Sequence, residues 1–558
     1  MSPVSFGGRF GWLHHPATLI EGAVGVVLVS PLGRDARCAH RPMRLFADRL
    51  AQAGYPTLRF DHLGHGDSLE GSQAGDAPAE WISGVHAATT ILKAMTGVER
   101  IVFGGVRMGA SLAALAALDD DTVAGLIALA PVVSGKGWLR ELRLAAAMSG
   151  TESEAARSLG GLEGDGLTLS PEAVKALMAL DIKSVALPSR AVLLFAQNET
   201  TAALGPCLER TGAAVTSHDF AGYDPMFEDA HSNAAPEEVF AQAIQWLRAT
   251  LPIDPAATAI PTPSLPVCRL TAAGLVETPV NFGAGLRGLI TWPQNAESRT
   301  RGAVIFLNTG GDPRAGIGRF AAIAGRELAR RGVASLRFDF PGVGDSADPA
   351  DSARHIYEVS RAADIQAAMA LMTAEGFDDL TVAGVCAGGH HALQAVTANP
   401  AVQRVLAVSP VKLVWRHGDS LAIGKRDQGR ATTFYVNGLA DPTTWKRLVT
   451  GDIHVFSVLR TLVGRLRARL AARRDDTVAL YNQRFAEASA RDVQVRILVG
   501  VDDASLDEVE TFFGPKGARL NRLPGMSVVV APGVDHGLAR PESRAAALAQ
   551  LFDLVGAA

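Results

Sequence analysis

Short runs of consecutive apolar residues alternate along this chain with stretches whose apolar positions recur every three or four residues. In the second half, "AVIFLNTGG" (303–311) reads as a buried strand ending in glycines. "FAAIAGRELARRG" (320–332) follows with helical spacing and a glycine stop. "VASLRFDFPG" (333–342), the helical "SRAADIQAAMALMTAEG" (360–376), "LTVAGV" (380–385) and "RVLAVSPV" (404–411) continue the alternation. Strands alternating with helices predict crossover units, hence a mostly parallel, doubly wound sheet covered on both faces. Such sheets carry their chemistry beyond the carboxyl ends of the strands.

The pattern is written twice. "PVSFGGRFGWLHHP" (3–16) returns as "PVNFGAGLRGLITWP" (279–293), and "LRFDHLGHGDS" (58–68) as "LRFDFPGVGDS" (336–346). Two similar domains in tandem are therefore expected, over 1–250 and 267–558. Between them "LPIDPAATAIPTPSLP" (251–266) is rich in proline, has no periodic apolar face and reads as a semi-rigid linker.

Bulk composition agrees with a globular protein: 558 residues, 48% hydrophobic, 20% charged. A net charge of −4 creates no field that calls for nucleic acid. Cys38, Cys207, Cys268 and Cys386 are far apart and form no CxxC pair, so neither a disulfide framework nor a zinc site is expected. The opening residues lack a basic segment followed by an apolar run, and no stretch of about 18 apolar residues suggests a membrane span. A cytoplasmic protein with reduced thiols, no cofactor and no metal is the expectation.

Chemistry concentrates around "GVCAG" (384–388), where a strand meets a helix. This is a G-x-nucleophile-x-G elbow, whose turn is too tight for side chains on its flanks. Cys386 would stand at a helix N-terminus, where partial positive charge favours an anionic sulfur; the alternative is an inert buried thiol. Further on, "VRILVGVDDAS" (495–505) is a strand ending in Gly500 before Asp502 and Asp503, and "MSVVVAPGVDHGLA" (526–539) is a strand followed by a glycine turn and His536. His536 can take the proton of Cys386 while an aspartate fixes its tautomer. Asp503 is preferred to Asp502, since the acid usually falls three places after the strand-end glycine. The oxyanion donors would be the amide of Ala387 and that of Thr309 or Gly310 in "NTGGD".

With the order nucleophile, acid, histidine in place, both halves resemble the α/β-hydrolase superfamily, in its serine-aminopeptidase-like branch. "NTGGDPRAGIGRFAAIAGRELARRGVASLRFDFPGVGDS" is similar to the first of two hydrolases encoded with exosortase A polysaccharide systems, which also has cysteine at its elbow. "GGVRMGASLA" with "LAPVVSGKGWLRELRL" is similar to the second, which likewise has arginine there. The chain resembles a fusion of that pair in reversed order. The resemblance implies two tandem α/β-hydrolase domains. It also implies acyl ester or thioester chemistry on a small substrate, with an acyl carrier protein or coenzyme A thioester as donor. After the nucleophile "AGGHH" departs from the relative's more acidic, small-residue pattern, so acyl preference does not carry over. Aminopeptidase activity has no support in these residues.

The first copy has Arg107 at the elbow, and guanidinium cannot attack a carbonyl in water. With Glu199 near the acid position and His231 displaced from the histidine's, this copy is expected to be inactive. A cation at a helix N-terminus needs an anion, either Glu199 or another internal acid, or the carboxylate or phosphate of a ligand. In the second copy, a helical cap is expected over about 412–490. Its Lys425, Arg426, Arg430, Lys446, Arg447, Arg460, Arg465, Arg467, Arg469, Arg473 and Arg474 either form a solvated face or receive an anionic donor. Two functions follow: an acyl hydrolase or acyltransferase working through a Cys386 thioester, or a non-catalytic scaffold.

Overall fold

The strand Val24–Val29 shows how the sheets are buried. Val24, Val26 and Leu28 enter one hydrophobic core, Val27 and Val29 another on the opposite face. Ala303, Ile305 and Leu307 likewise face one core of the second half, Val304 and Phe306 the other. Side chains alternate across a strand, so an uninterrupted apolar run fits a sheet covered on both sides. In this computed structural model the chain is described except for residues 72–76, 165, 255–256, 262–265, 296–299, 350–355, 400, 417–418, 420–474 and 558. It divides into two compact units, Met1–Pro279 and Val280–Ala558, at a point inside the strand Leu275–Phe282.

In the first unit the strands lie in the order Ser2–Phe6, Arg9–His14, Thr57–Phe60, Val24–Val29, Arg100–Val106, Val123–Leu129, Ala191–Ala196 and Ala214–Asp219. The opening pairings are antiparallel and the remainder parallel. The second sheet repeats the order with one more strand at its start. It runs Leu270–Ala272, Leu275–Phe282, Leu286–Pro293, Ala334–Asp339, Gly302–Leu307, Asp379–Val385, Arg404–Val408, Gln494–Gly500 and Met526–Ala531. The fold is thus the tandem, mostly parallel α/β architecture that the alternating pattern predicts. Helices form where predicted, at Phe320–Arg330 and Ala362–Ala374.

Two stretches differ in detail from their sequence reading. Within the proline-rich segment, Ala259–Ile260 pairs antiparallel with Leu19–Ile20. Of the stretch expected to form a cap, Asp476–Ser489 is a helix whose Val478, Tyr481, Phe485 and Ala488 join the core beneath the second sheet. Its apolar stripe is used for packing into that core. The eleven basic positions from Lys425 to Arg474 lie outside the described residues. None of the four cysteines is in a disulfide, and no described helix is long and apolar enough to cross a membrane.

The "FDFPGVGDS" motif has a structural reason. Buried Asp339 accepts from the Arg314 side chain at 2.6 Å, the Arg314 amide at 2.7 Å, Asn308 at 3.0 Å and the Asp345 amide at 3.0 Å. Arg314 also donates to Asp345 at 2.8 Å, and Ser346 bonds the Asp339 carbonyl at 2.6 Å. A Cβ on Gly344, where φ is +50°, would come within 2.3 Å of the Asp339 carboxylate, so only glycine lets the turn close over it. This network anchors Asn308, the first residue of the loop beside the elbow. Removing one member of a buried ion cluster leaves charge without compensation. Arg314→Met is therefore expected to destabilise the second unit by about 3 kcal/mol or more, measured as an earlier urea transition.

Candidate active site

Each elbow begins with a strained residue. Cys386 caps the helix Ala387–Ala398 with φ 54° and ψ −114°. Arg107 caps Met108–Ala116 with φ 55° and ψ −126°. A left-handed backbone is costly for a side-chain-bearing residue and persists only where its surroundings enforce it. Here the flanking glycines do so. A Cβ on Gly384 would meet the Gly388 backbone at 2.3 Å, and one on Gly388 would meet the Asn308 carbonyl at 2.7 Å. The Cys386 amide donates to the Val408 carbonyl at 2.9 Å, tying the elbow to the neighbouring strand.

His536 comes from the loop after the last strand and Asp503 from the loop after the strand before it. Their Nδ1 and Oδ1 atoms lie 3.2 Å apart. Ser505 Oγ lies 3.4 Å from the same Nδ1, and Cys386 is near enough for its charge to act on the imidazole. Burial opposes charge on the ring, but the Asp503 carboxylate and the Cys386 sulfur outweigh it. The imidazole is thereby held well above its usual range. One side of the ring remains open, with 43% of its surface exposed, and water there tempers the effect. Asp503 is buried, which disfavours its charge. His536, the Ser409 side chain and the Ser505 amide at 3.0 Å reverse that and bring it down to about 2. Asp502 is exposed on the same turn and makes no bond to the ring. Of the two aspartates, Asp503 is the one beside the ring.

A contribution that sequence reading missed is Asp535. It accepts from the amides of Ala539 at 2.8 Å and Arg540 at 3.0 Å, and from Ser543 at 2.5 Å. These bonds fix the loop that carries His536. The clue was an aspartate eight residues before a serine in the first turn of the helix Pro541–Val555.

For the oxyanion, Ala387 and Gly310 line one small cavity with Asn308, Phe340, Val343, Ile356, Arg361 and His391. Thr309 is buried beside them. The Gly310 amide donates to the Asn308 carbonyl at 3.1 Å, so a bound oxyanion would have to draw it away. Among the described residues no group of three or more His, Cys, Asp or Glu is arranged to hold a metal.

In the first unit the same backbone holds a different arrangement. Arg107 is buried and donates from Nε to Asp35 at 3.2 Å and from Nη2 to Glu141 at 2.5 Å. The expected internal ion pair exists, but its partner is not Glu199, which stands exposed in the first turn of a short helix. His231 has Asp229 beside it, with Nε2 3.8 Å from Oδ1. Aligning "AGYDPMF" (221–227) with "PGVDHGL" (532–538) puts Pro225 where His536 stands. Tyr223, just before, lies near enough to Arg107 to interact with its charge. Burial pushes the Tyr223 hydroxyl up to about 12, against the pull of Arg107. Burial also raises Asp35, with Arg107 opposing and Glu141 adding.

Two outcomes follow. Asp503 is held below the ordinary carboxylate value of about 3.9. The stability it confers is therefore present above that value and lost as pH falls towards about 2. Between pH 4 and 2, wild type should lose about 2 kcal/mol more than Asp503→Asn, seen by urea titration at each pH. Arg107→Met should destabilise the first unit by about 2 kcal/mol or more, with Asp35→Asn in the same chain restoring part of the loss in thermal melts.

The family described as "Serine aminopeptidase, S33" matches residues 26–187, and that described as "Alpha/beta hydrolase family" matches residues 304–551. No curated protein matches the chain. Among solved structures, Est1E from Butyrivibrio proteoclasticus with ferulic acid bound aligns at 17% identity over 45% of this chain and 99% of its own, with a TM-score of 0.35. A thermostable carboxyl esterase from Bacillus coagulans aligns at 15% identity over 45% and 98%, TM-score 0.34. A proline iminopeptidase from Mycobacterium smegmatis aligns at 18% identity over 45% and 98%, TM-score 0.31. With one family match in each half and the same strand order written twice, the chain carries the α/β-hydrolase fold as two domains in tandem.

Proposed function

We propose that the second unit is an acyl ester or thioester hydrolase, or an acyltransferase, acting through Cys386, His536 and Asp503. The observation that carries this reading is the His536 ring, 3.2 Å from a buried, ionised aspartate and near enough to the elbow sulfur for the two charges to act on each other. His536 takes the thiol proton as Cys386 attacks the acyl carbonyl. The tetrahedral oxyanion is received by the Ala387 amide and by Thr309 or Gly310. Collapse expels the alcohol or thiol with the proton from His536 and leaves a Cys386 thioester. Water or an acceptor alcohol then attacks that thioester. A thiol nucleophile suits thioester donors, because donor and intermediate have similar energies. An acyl carrier protein or coenzyme A thioester fits the narrower resemblance to the exosortase-associated pair.

The first unit is read as non-catalytic. Arg107 offers no nucleophile, and its charge is answered by Asp35 and Glu141. That answer favours a structural role for Arg107 over a ligand-binding one.

Intact mass spectrometry after incubation with acetyl- and palmitoyl-coenzyme A tests the assignment. Wild type should gain one acyl mass on Cys386, and Cys386→Ala should gain none. Turnover of either thioester or of p-nitrophenyl acetate by Cys386→Ala would overturn the assignment.

A further inference from the structure

The nucleophile has a third polar neighbour. The Tyr357 hydroxyl lies 3.6 Å from the Cys386 sulfur, and the tyrosine is 5% exposed. Its ring is gripped on several sides. Trp415 stacks on it at 4.9 Å with planes 9° apart. His390 meets it edge-on at 5.2 Å, and His391 lies 6.4 Å away. These histidines belong to "AGGHH" (387–391), the segment that follows the elbow. Each is tied down by a carbonyl. His390 Nδ1 donates to Lys412 at 2.8 Å, and His391 Nε2 donates to Ile356, the residue before Tyr357, at 2.7 Å. Burial brings His390 down to about 4 and His391, also beside His390, to about 3. Both rings are therefore neutral at pH 7 and act as shaped packing groups with one donor each.

We infer that Tyr357 is a working member of the active site, seated by His390 and His391 so that its hydroxyl donates to the Cys386 sulfur. The inference rests on reading Cys386 as the nucleophile. Burial, then the Cys386 charge and its hydrogen bond, then Glu508, hold the phenol well above its ordinary range. It keeps its proton and serves as donor, not base. A donor is worth most while sulfur carries charge. In the acyl-enzyme the sulfur is a neutral thioester and a poor acceptor. During deacylation water or an alcohol adds to the carbonyl and passes its proton to His536. The carbon–sulfur bond then breaks with its electron pair on sulfur. Tyr357 meets that developing charge, and His536 returns the proton to the thiol. The hydroxyl thus favours sulfur as both attacking and leaving group.

The test is Tyr357→Phe, which keeps the ring and removes the donor. Deacylation of a Cys386 acetyl-enzyme, followed by intact mass, should slow roughly tenfold. Iodoacetamide labelling of Cys386 should slow less, about threefold, since a weaker hydrogen bond also leaves a more nucleophilic anion. Half-exposed Cys207 serves as the internal control and should label at an unchanged rate. His391→Leu, which frees the Ile356 carbonyl, should follow Tyr357→Phe, whereas His391→Gln keeps a donor and should stay near wild type. Unchanged deacylation and an unchanged ratio of Cys386 to Cys207 labelling in both Tyr357→Phe and His391→Leu would overturn the role of Tyr357 alone. A wild-type protein that never acylates Cys386 would instead remove the underlying reading.

Discussion

A side-chain-bearing residue held at positive φ between a strand and a helix is the constraint on which both halves of this chain depend. At Cys386 and Arg107 that conformation costs on the order of 1–3 kcal/mol, yet it recurs at φ 54° and 55°. Backbone packed against the neighbouring glycines leaves no other path. The strain lifts the side chain clear of the sheet and aims the next amides at the same point. The donors from the Asn308 loop, the imidazole from the last crossover and the acid from the one before can then converge there.

The two units show that this backbone is indifferent to what it presents. In the second unit the side chain is a thiol, and its surroundings are an imidazole, a phenol and a carboxylate one step removed. In the first it is a guanidinium, and two carboxylates close on it, one from the first turn of the helix Gly33–Gln52 and one from Gly135–Ser149. A cation at a helix N-terminus is electrostatically misplaced. Asp35 and Glu141 are the answer the fold supplies. One architecture therefore holds a thiol beside an imidazole in one unit and an ion cluster in the other.

Around the Cys386 elbow, buried polar groups hold the surrounding loops in place. Asp535 orders the histidine loop, and the Arg314–Asp339–Asp345 cluster anchors Asn308. The two histidines after the elbow hold an aromatic wall against the sulfur. The cavity beside Ala387 and Gly310 is lined partly by His391, Phe340 and Ile356, so the groups that seat Tyr357 also shape the space next to the oxyanion position.

The sequence by itself determined what short-range pattern determines: the alternation of strands and helices, the duplication, both elbows and the order Cys386, Asp503, His536. Apolar periodicity and glycine placement act over a few residues, so they are legible without a structure. Tertiary packing decided the partners. Asp35 stands 72 positions from Arg107 and Glu141 stands 34 away, while Glu199, the acid nearest the expected place, turned outward to solvent. Tyr357 lies 29 positions from the sulfur it touches, and nothing in its local sequence marks it. Contacts of that kind arise when separate crossover loops are brought to one edge of a sheet, and the strand order sets which loops meet.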